Sequence, residues 1–286
     1  MYIMTQSTQS EWIERFARFG YAAKGFVYGL VGILALQTAL NRGGQTTDQK
    51  GVLYEIVEQP FGQALLSFVT IGLIGYAMWR FLQAFMDTDN KGTDLKGLIE
   101  RFGFGMSAVI YSGFAFTAMK ILTGNGESSG EQSDQSAQHW TARFLSQPFG
   151  QWLVGLAGAV VIGLGFYYFY KAFTGKFRKE LKIRQMTPNE EKWVMVAGRV
   201  GLSARGIIFT MIGWFLMQAA YQSDANEAQA IPGTLEALLR QPYGSLLLGV
   251  VAVGLVIYGL YMGVHARYRR IHPPQADPKQ LLNLGK

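Results

Sequence analysis

Residues 59–76 read QPFGQALLSFVTIGLIGY, and the pattern returns at 147–167 as QPFGQWLVGLAGAVVIGLGFY and at 241–258 as QPYGSLLLGVVAVGLVIY. Each copy opens on Gln-Pro-aromatic-Gly and then carries Gly-Leu-x-x-Tyr: Gly72 to Tyr76, Gly163 to Tyr167, Gly254 to Tyr258. Working outward, Arg18-x-Gly20, Arg101-x-Gly103 and Arg199-x-Gly201 precede the Gln-Pro pairs by 41, 46 and 42 residues. Nineteen residues after each arginine come Gln37, Lys120 and Gln218. Four registers kept in step three times mark a triplicated unit.

Each unit holds two apolar stretches long enough to cross a bilayer core, which needs roughly 20 residues of helix. The six stretches run over about 21–40, 62–85, 103–122, 150–173, 200–221 and 244–264. The composition agrees. Hydrophobic residues make up 49% and charged residues 16%, whereas a soluble globular chain carries roughly 25% charged residues. Disorder is excluded by 14% aromatics, and collagen by glycines without a three-residue period. Lys24 stands near the start of the first stretch, and no small-residue cleavage site follows it, so that stretch reads as a retained helix. The expected fold class is an all-α integral membrane protein of six transmembrane helices, arranged as three helix–interfacial helix–helix units about a pseudo-threefold axis. The units span 12–88, 95–176 and 193–270, and a tail covers 271–286.

Placing the N-terminus in the cytoplasm puts 21 of the 26 Lys and Arg residues inside and four outside, with Lys120 within a span. This bias sets the orientation, with both termini cytoplasmic in the inner or plasma membrane. The net charge of +7 then reflects topology and an anionic lipid surface, and no nucleic-acid partner is expected. Lys24, Arg80, Lys171 and Arg205, near cytoplasmic ends of spans, read as anchors and orientation signals rather than phosphate ligands.

Between the helices of each unit lies an amphipathic stretch. Leu53, Ile56 and Val57 match Leu235, Leu238 and Leu239, with Phe144 and Leu145 in the middle copy. Spacings of three and four put these on one face, expected to lie flat at the outer interface. Proline ends that helix, and the glycine after the aromatic is expected to give the corner its freedom.

The motif set, Arg-x-Gly with Lys24-Gly25 or Arg205-Gly206 shortly after, then Gln-Pro-Phe/Tyr-Gly and Gly-Leu-x-x-Tyr, resembles the bacterial domain of unknown function 1206 family from about Trp12 to Arg269. The resemblance implies three tandem two-helix modules in a membrane and brings no catalytic or binding residues with it. The middle copy departs from the pattern, with Ser107-Ala108 in place of the basic-Gly pair.

Two equivalent sets are candidate sites. Gln37, Lys120 and Gln218 would form a polar ring near the outer face if the units close about an axis. Lys120 on its own also reads as a lysine snorkelling to the headgroups. Tyr76, Tyr167 and Tyr258 lie deeper, with Trp79, Tyr170 and Tyr261 three residues on. They read either as an aromatic belt or as buried hydroxyls in need of partners. Zero cysteines exclude disulfides, cysteine-held metals and thiol catalysis, and three histidines leave no pairs for haem. No phosphate-binding loop or hydrolase motif is present, and no mid-membrane acid suggests ion coupling. No cofactor and no enzymatic activity are expected. A scaffold that binds lipid or a protein partner, and a pore or facilitator for a small polar solute, are the two leading functional readings; a lipid-modifying enzyme is the weakest, because no acid–base pair is visible.

Overall fold

The computed structural model describes residues 2–44, 46–125 and 132–271. Among the described residues the chain forms nine α-helices and no strand: α1 (Tyr2–Ala39), α2 (Gln49–Glu58), α3 (Gly62–Phe85), α4 (Leu95–Leu122), α5 (Gln132–Leu145), α6 (Gly150–Thr174), α7 (Pro188–Gln222), α8 (Ile231–Leu239) and α9 (Gly244–Tyr268). Six of them (α1, α3, α4, α6, α7 and α9) are long and apolar enough to span a membrane. The odd spans begin earlier than hydropathy suggests. Asp94 caps α4, and a Thr187–Glu190 capping box with Pro188 in the first turn starts α7 ahead of its apolar run. The tail expected over 271–286 lies outside the described residues except for Ile271.

The Gln-Pro-aromatic-Gly corner repeats closely. The Gly62, Gly150 and Gly244 nitrogens donate to the Gln59, Gln147 and Gln241 carbonyls at 2.7, 2.9 and 2.8 Å. The left-handed residue is the aromatic, with φ of 62° at Phe61, 64° at Phe149 and 60° at Tyr243. This corrects the expectation for the glycine. Proline second and a left-handed residue third is the pattern of a type II turn. The glycine is needed for space, since a Cβ at Gly62 would meet the Ile56 carbonyl oxygen at 2.2 Å. The turn leaves the aromatic rings outside, with Phe61 90% exposed.

The short helices also differ from expectation. Val52, Leu53 and Ile56 of α2 and Leu235 of α8 are buried against the bundle rather than turned to lipid. Capping the bundle end removes the same apolar surface that lying on a membrane would, and it also covers the helix ends. In the middle unit, α5 keeps Phe144 exposed and is tied to α8 through Asp134, which accepts from the Ala230 and Gly233 nitrogens at 2.6 and 2.9 Å.

The spans pack in the order α4, α3, α1, α9, α7, α6. Glycines set the close contacts. A Cβ at Gly20 would lie 2.5 Å from the Tyr76 nitrogen, and one at Gly201 would lie 2.7 Å from the Tyr258 Cα. These are equivalent crossings of α1 on α3 and of α7 on α9. The third crossing is open: α4 and α6 form no comparable interface, and nothing lies within 4 Å of a Cβ built at Gly103.

Gly20→Ala and Gly201→Ala should each destabilise the detergent-solubilised protein by about 1–3 kcal/mol through overpacking. Gly103→Ala should be neutral, or stabilising by up to about 1 kcal/mol through helix propensity. Thermal melting of the three variants checks this, and three equal losses would refute an open crossing.

Candidate functional site

Lys24 sits between the two glycines that let neighbours approach α1: Gly20 on the α3 side, and Gly25, whose Cβ would meet the Gly259 carbonyl of α9 at 2.6 Å. Clamped between α3 and α9, the residue at 24 can only turn inward, and it is 4% exposed. Its ammonium donates to Tyr76 Oη at 2.9 Å. The ring centroids of Tyr76, Tyr111, Tyr28 and Tyr258 lie 4.6, 4.9, 5.8 and 6.0 Å away. Four helices therefore supply one aromatic cage, each face worth about 0.5–2 kcal/mol to a cation.

Arg205 occupies the equivalent position in the third unit. Its Nη1 donates to Tyr258 Oη at 2.7 Å, and its guanidinium stands 4.7 Å from the Tyr168 ring and 5.3 Å from Tyr28. Its Nε is buried with no acceptor. Tyr28 and Tyr258 thus serve both cations. Beside Arg205 a narrow recess, lined in part by Tyr28, Val31, Ile208 and Leu255, has room for about one water.

A third cation joins through Tyr76, whose Oη accepts from Arg80 Nε at 2.8 Å and from Nη2 at 2.6 Å. Arg80 Nη1 also donates to Gln83 Oε1 at 3.0 Å, and Gln83 Nε2 donates to Asp89 Oδ2 at 2.9 Å. Carboxylates enter only there. Arg269 bridges Asp89 at 3.1 Å and Glu180 at 2.8 Å, and Lys171 reaches Glu180 at 2.6 Å. Lys171 and Arg269 are thus compensated. Lys24, Arg80 and Arg205 are not, since among the described residues none has a carboxylate oxygen within 4.0 Å. No trio of His, Asp or Glu placed to hold a metal occurs among the described residues.

Three of the four basic residues read as anchors, Lys24, Arg80 and Arg205, therefore point into the bundle. The cage tyrosines Tyr28 and Tyr111 belong to neither sequence-derived set, although each falls ten residues after its unit's opening arginine, Arg18 or Arg101. Of the tyrosine set, Tyr76 and Tyr258 are buried in the cluster, while Tyr167 is 48% exposed and lies outside it. Trp79 and Tyr261 are buried, and Tyr170 is exposed and accepts from Lys176. Of the polar ring, Gln37 and Lys120 are exposed and Gln218 is half-buried. The Lys120 ammonium rests 5.5 Å from the Phe116 ring, and no hydrogen bond among the described residues joins the three.

Burial alone would raise the Glu180 carboxyl, but Lys171 and Arg269 outweigh it and hold its pKa well below the carboxylate range. A depressed folded pKa stabilises the fold above the ordinary value of 4.5 and loses that contribution as pH falls towards the folded pKa. Glu180→Gln should lower the melting temperature at pH 7 by several degrees, about 1.5–3 kcal/mol for a charge-assisted bond. It should also flatten the decline between pH 5 and 3, and an unchanged acid limb would refute the clasp.

A profile for the Domain of Unknown Function DUF1206 matches residues 19–87, 102–175 and 200–269. The chain is also 38% identical over 260 residues to the uncharacterized protein YxxB of Bacillus subtilis (strain 168), covering 91% of this chain and 92% of that one. No solved structure matches significantly. Three profile matches in tandem, one on each two-helix unit, place the chain in the DUF1206 family.

Proposed function

We propose that this protein is a non-enzymatic membrane protein of the bacterial inner or plasma membrane that binds an anionic group at Lys24, Arg80 and Arg205. One observation carries the reading: three cations meet within the bundle of spans through phenols and the Gln83 amide, and among the described residues no carboxylate oxygen lies within 4.0 Å of any of them. An unpaired charge at that depth costs several kcal/mol. Hydroxyls and ring faces offset part of this, and a bound anion would offset more. The hydrogen-bond partners of Lys24, Arg80 and Arg205 are phenols and an amide, which supports binding rather than turnover. A packed centre, with Tyr21, Tyr76, Trp79 and Tyr261 among the largest fully buried side chains, supports binding over conduction.

Replacing a buried unpaired cation with an apolar residue of similar length is often stabilising. Lys24→Met combined with Arg205→Met should raise the melting temperature while weakening inorganic phosphate binding at least tenfold, read by ³¹P line broadening and thermal shift. Lys120→Met should leave phosphate binding unchanged. Loss of stability in the double variant with undiminished binding would make the cluster a structural device and overturn the proposal.

The 21-to-4 basic bias supports a cytoplasmic position for both termini. The chain lacks cysteine, so single cysteines report cleanly. With a membrane-impermeant maleimide on whole cells, Arg143→Cys should label from outside and Lys179→Cys only after lysis, and the reverse pattern would invert the topology.

A further inference from the structure

In the first and third units the Arg-x-Gly and Gly-Leu motifs interlock. A Cβ at Gly72 would lie 2.4 Å from Ala23 Cβ, and one at Gly254 would lie 2.5 Å from Ala204 Cβ. The middle unit keeps both glycines, Gly103 and Gly163, yet nothing stands within 4 Å of a Cβ at either. The side chains on this seam are correspondingly bare: Phe102, Met106 and Ile110 on α4, Phe166, Tyr167 and Tyr170 on α6. Tyr167 is 48% exposed where its equivalents Tyr76 and Tyr258 are 0% and 2%. The same two helices wall the cationic cluster, α4 through Tyr111 at Lys24 and α6 through Tyr168 at Arg205. The seam therefore runs from the outer face of the bundle towards the uncompensated cations. Lys96 on α4 and Lys176 just past α6 stand near Tyr170 at one end of it.

Resting on the anion-binding reading, we propose that this seam seats one anionic phospholipid of the cytoplasmic leaflet. Its phosphate would enter past Gly103 and Gly163 to approach Lys24 and Arg205, and an acyl chain would run on deeper from there, past Ile110 on α4. Charge complementarity selects this occupant. Lys24 is more than nine-tenths buried and bonded only to a phenol, and the Arg205 Nε has no acceptor. An apolar helix from a second copy would leave those cations as they are. The depth also fits, because Lys24 is six residues beyond Arg18, roughly 9 Å along a helix. That is within reach of a headgroup in the leaflet where anionic lipids concentrate. The walls suit a chain, being aromatic and aliphatic with two glycines for clearance.

The test uses the full-length protein in nanodiscs, with bimane on Met106→Cys in the seam or on Leu260→Cys, exposed on α9. Brominated-chain phosphatidylglycerol should quench the Met106 position at least threefold more than brominated phosphatidylcholine at equal mole fraction. The two lipids should quench the Leu260 position equally, and Lys24→Met/Arg205→Met should bring the Met106 ratio down to that level. Equal quenching at both positions would overturn the lipid seat. If phosphate binding is still lost in the double variant, the anion site stands without it. If phosphate does not bind either, both readings fall. A phosphatidylglycerol preference that survives the double variant would refute the phosphate contact. A disulfide between Met106→Cys and Tyr167→Cys within one chain would assign the seam to self-closure, and one between Met106→Cys of two chains to a dimer. Either result would also overturn the proposal.

Discussion

The close approach of α1 and α9 at Gly25 and Gly259 is the contact on which the rest of the bundle depends. Each glycine's missing Cβ is replaced by the other helix's backbone, 2.6 Å from where the carbon would be. Between helices in lipid there is no hydrophobic drive to associate, so dispersion contact between backbones carries much of the attraction, and small residues make it possible. This crossing joins the first unit to the third. It also brings Tyr258 to Lys24, and Tyr28 to Arg205, so that the two cations share their cage. Packing and chemistry thus have a common origin: the glycine after each basic residue draws the neighbouring helix in, and the basic residue is enclosed as a result.

The cluster divides by depth into two electrostatic regimes. At the polar end, Asp89 and Glu180 take up Arg269 and Lys171, and the clasp ties the connector after α6 to the end of α9. Deeper, the available acceptors are phenol oxygens and ring faces. Gln83 couples the regimes, accepting from Arg80 and donating to Asp89. A carboxylate beside Lys24 would neutralise it permanently. Phenols stabilise the cation without doing so, which leaves its charge available to a ligand.

Repeats and spans were legible because they depend on properties that sum along the chain: motif spacing and twenty-residue hydropathy. What depended on partners was not. From sequence the corner glycine reads as the flexible residue, because the clash with the preceding helix's carbonyl is invisible without that helix, and a proline in second place allows a left-handed third residue without requiring one. Lys24, Arg80 and Arg205 were read as anchors, because counting charge by side ignores where a helix turns each residue. A glycine on either side of Lys24, with Tyr28 four residues on, was the available clue to an inward lysine. The Tyr76 and Tyr258 pair was legible from register alone. Tyr167 was assigned with them because sequence equivalence says nothing about whether a helix pair is closed.

That exception coincides with a difference in charge. Each unit offers two registers that can hold a cation facing the centre, represented by Lys24 and Arg80 in the first. The second unit fills only the later one, with Lys171, and the third only the earlier, with Arg205; Ser107 and Met262 occupy the remaining places. Lys171 is already neutralised by Glu180. A cation at position 107 would have been a fourth uncompensated charge around the same tyrosines, and repulsion between like charges at low effective dielectric rises steeply with each addition. With Ser107 there that repulsion is absent, and so is a cation for Tyr167 to cap as Tyr76 caps Lys24. Without that bond the middle crossing has its glycines and no polar contact to close on them. The one crossing left open thus belongs to the one repeat that lacks the earlier cation.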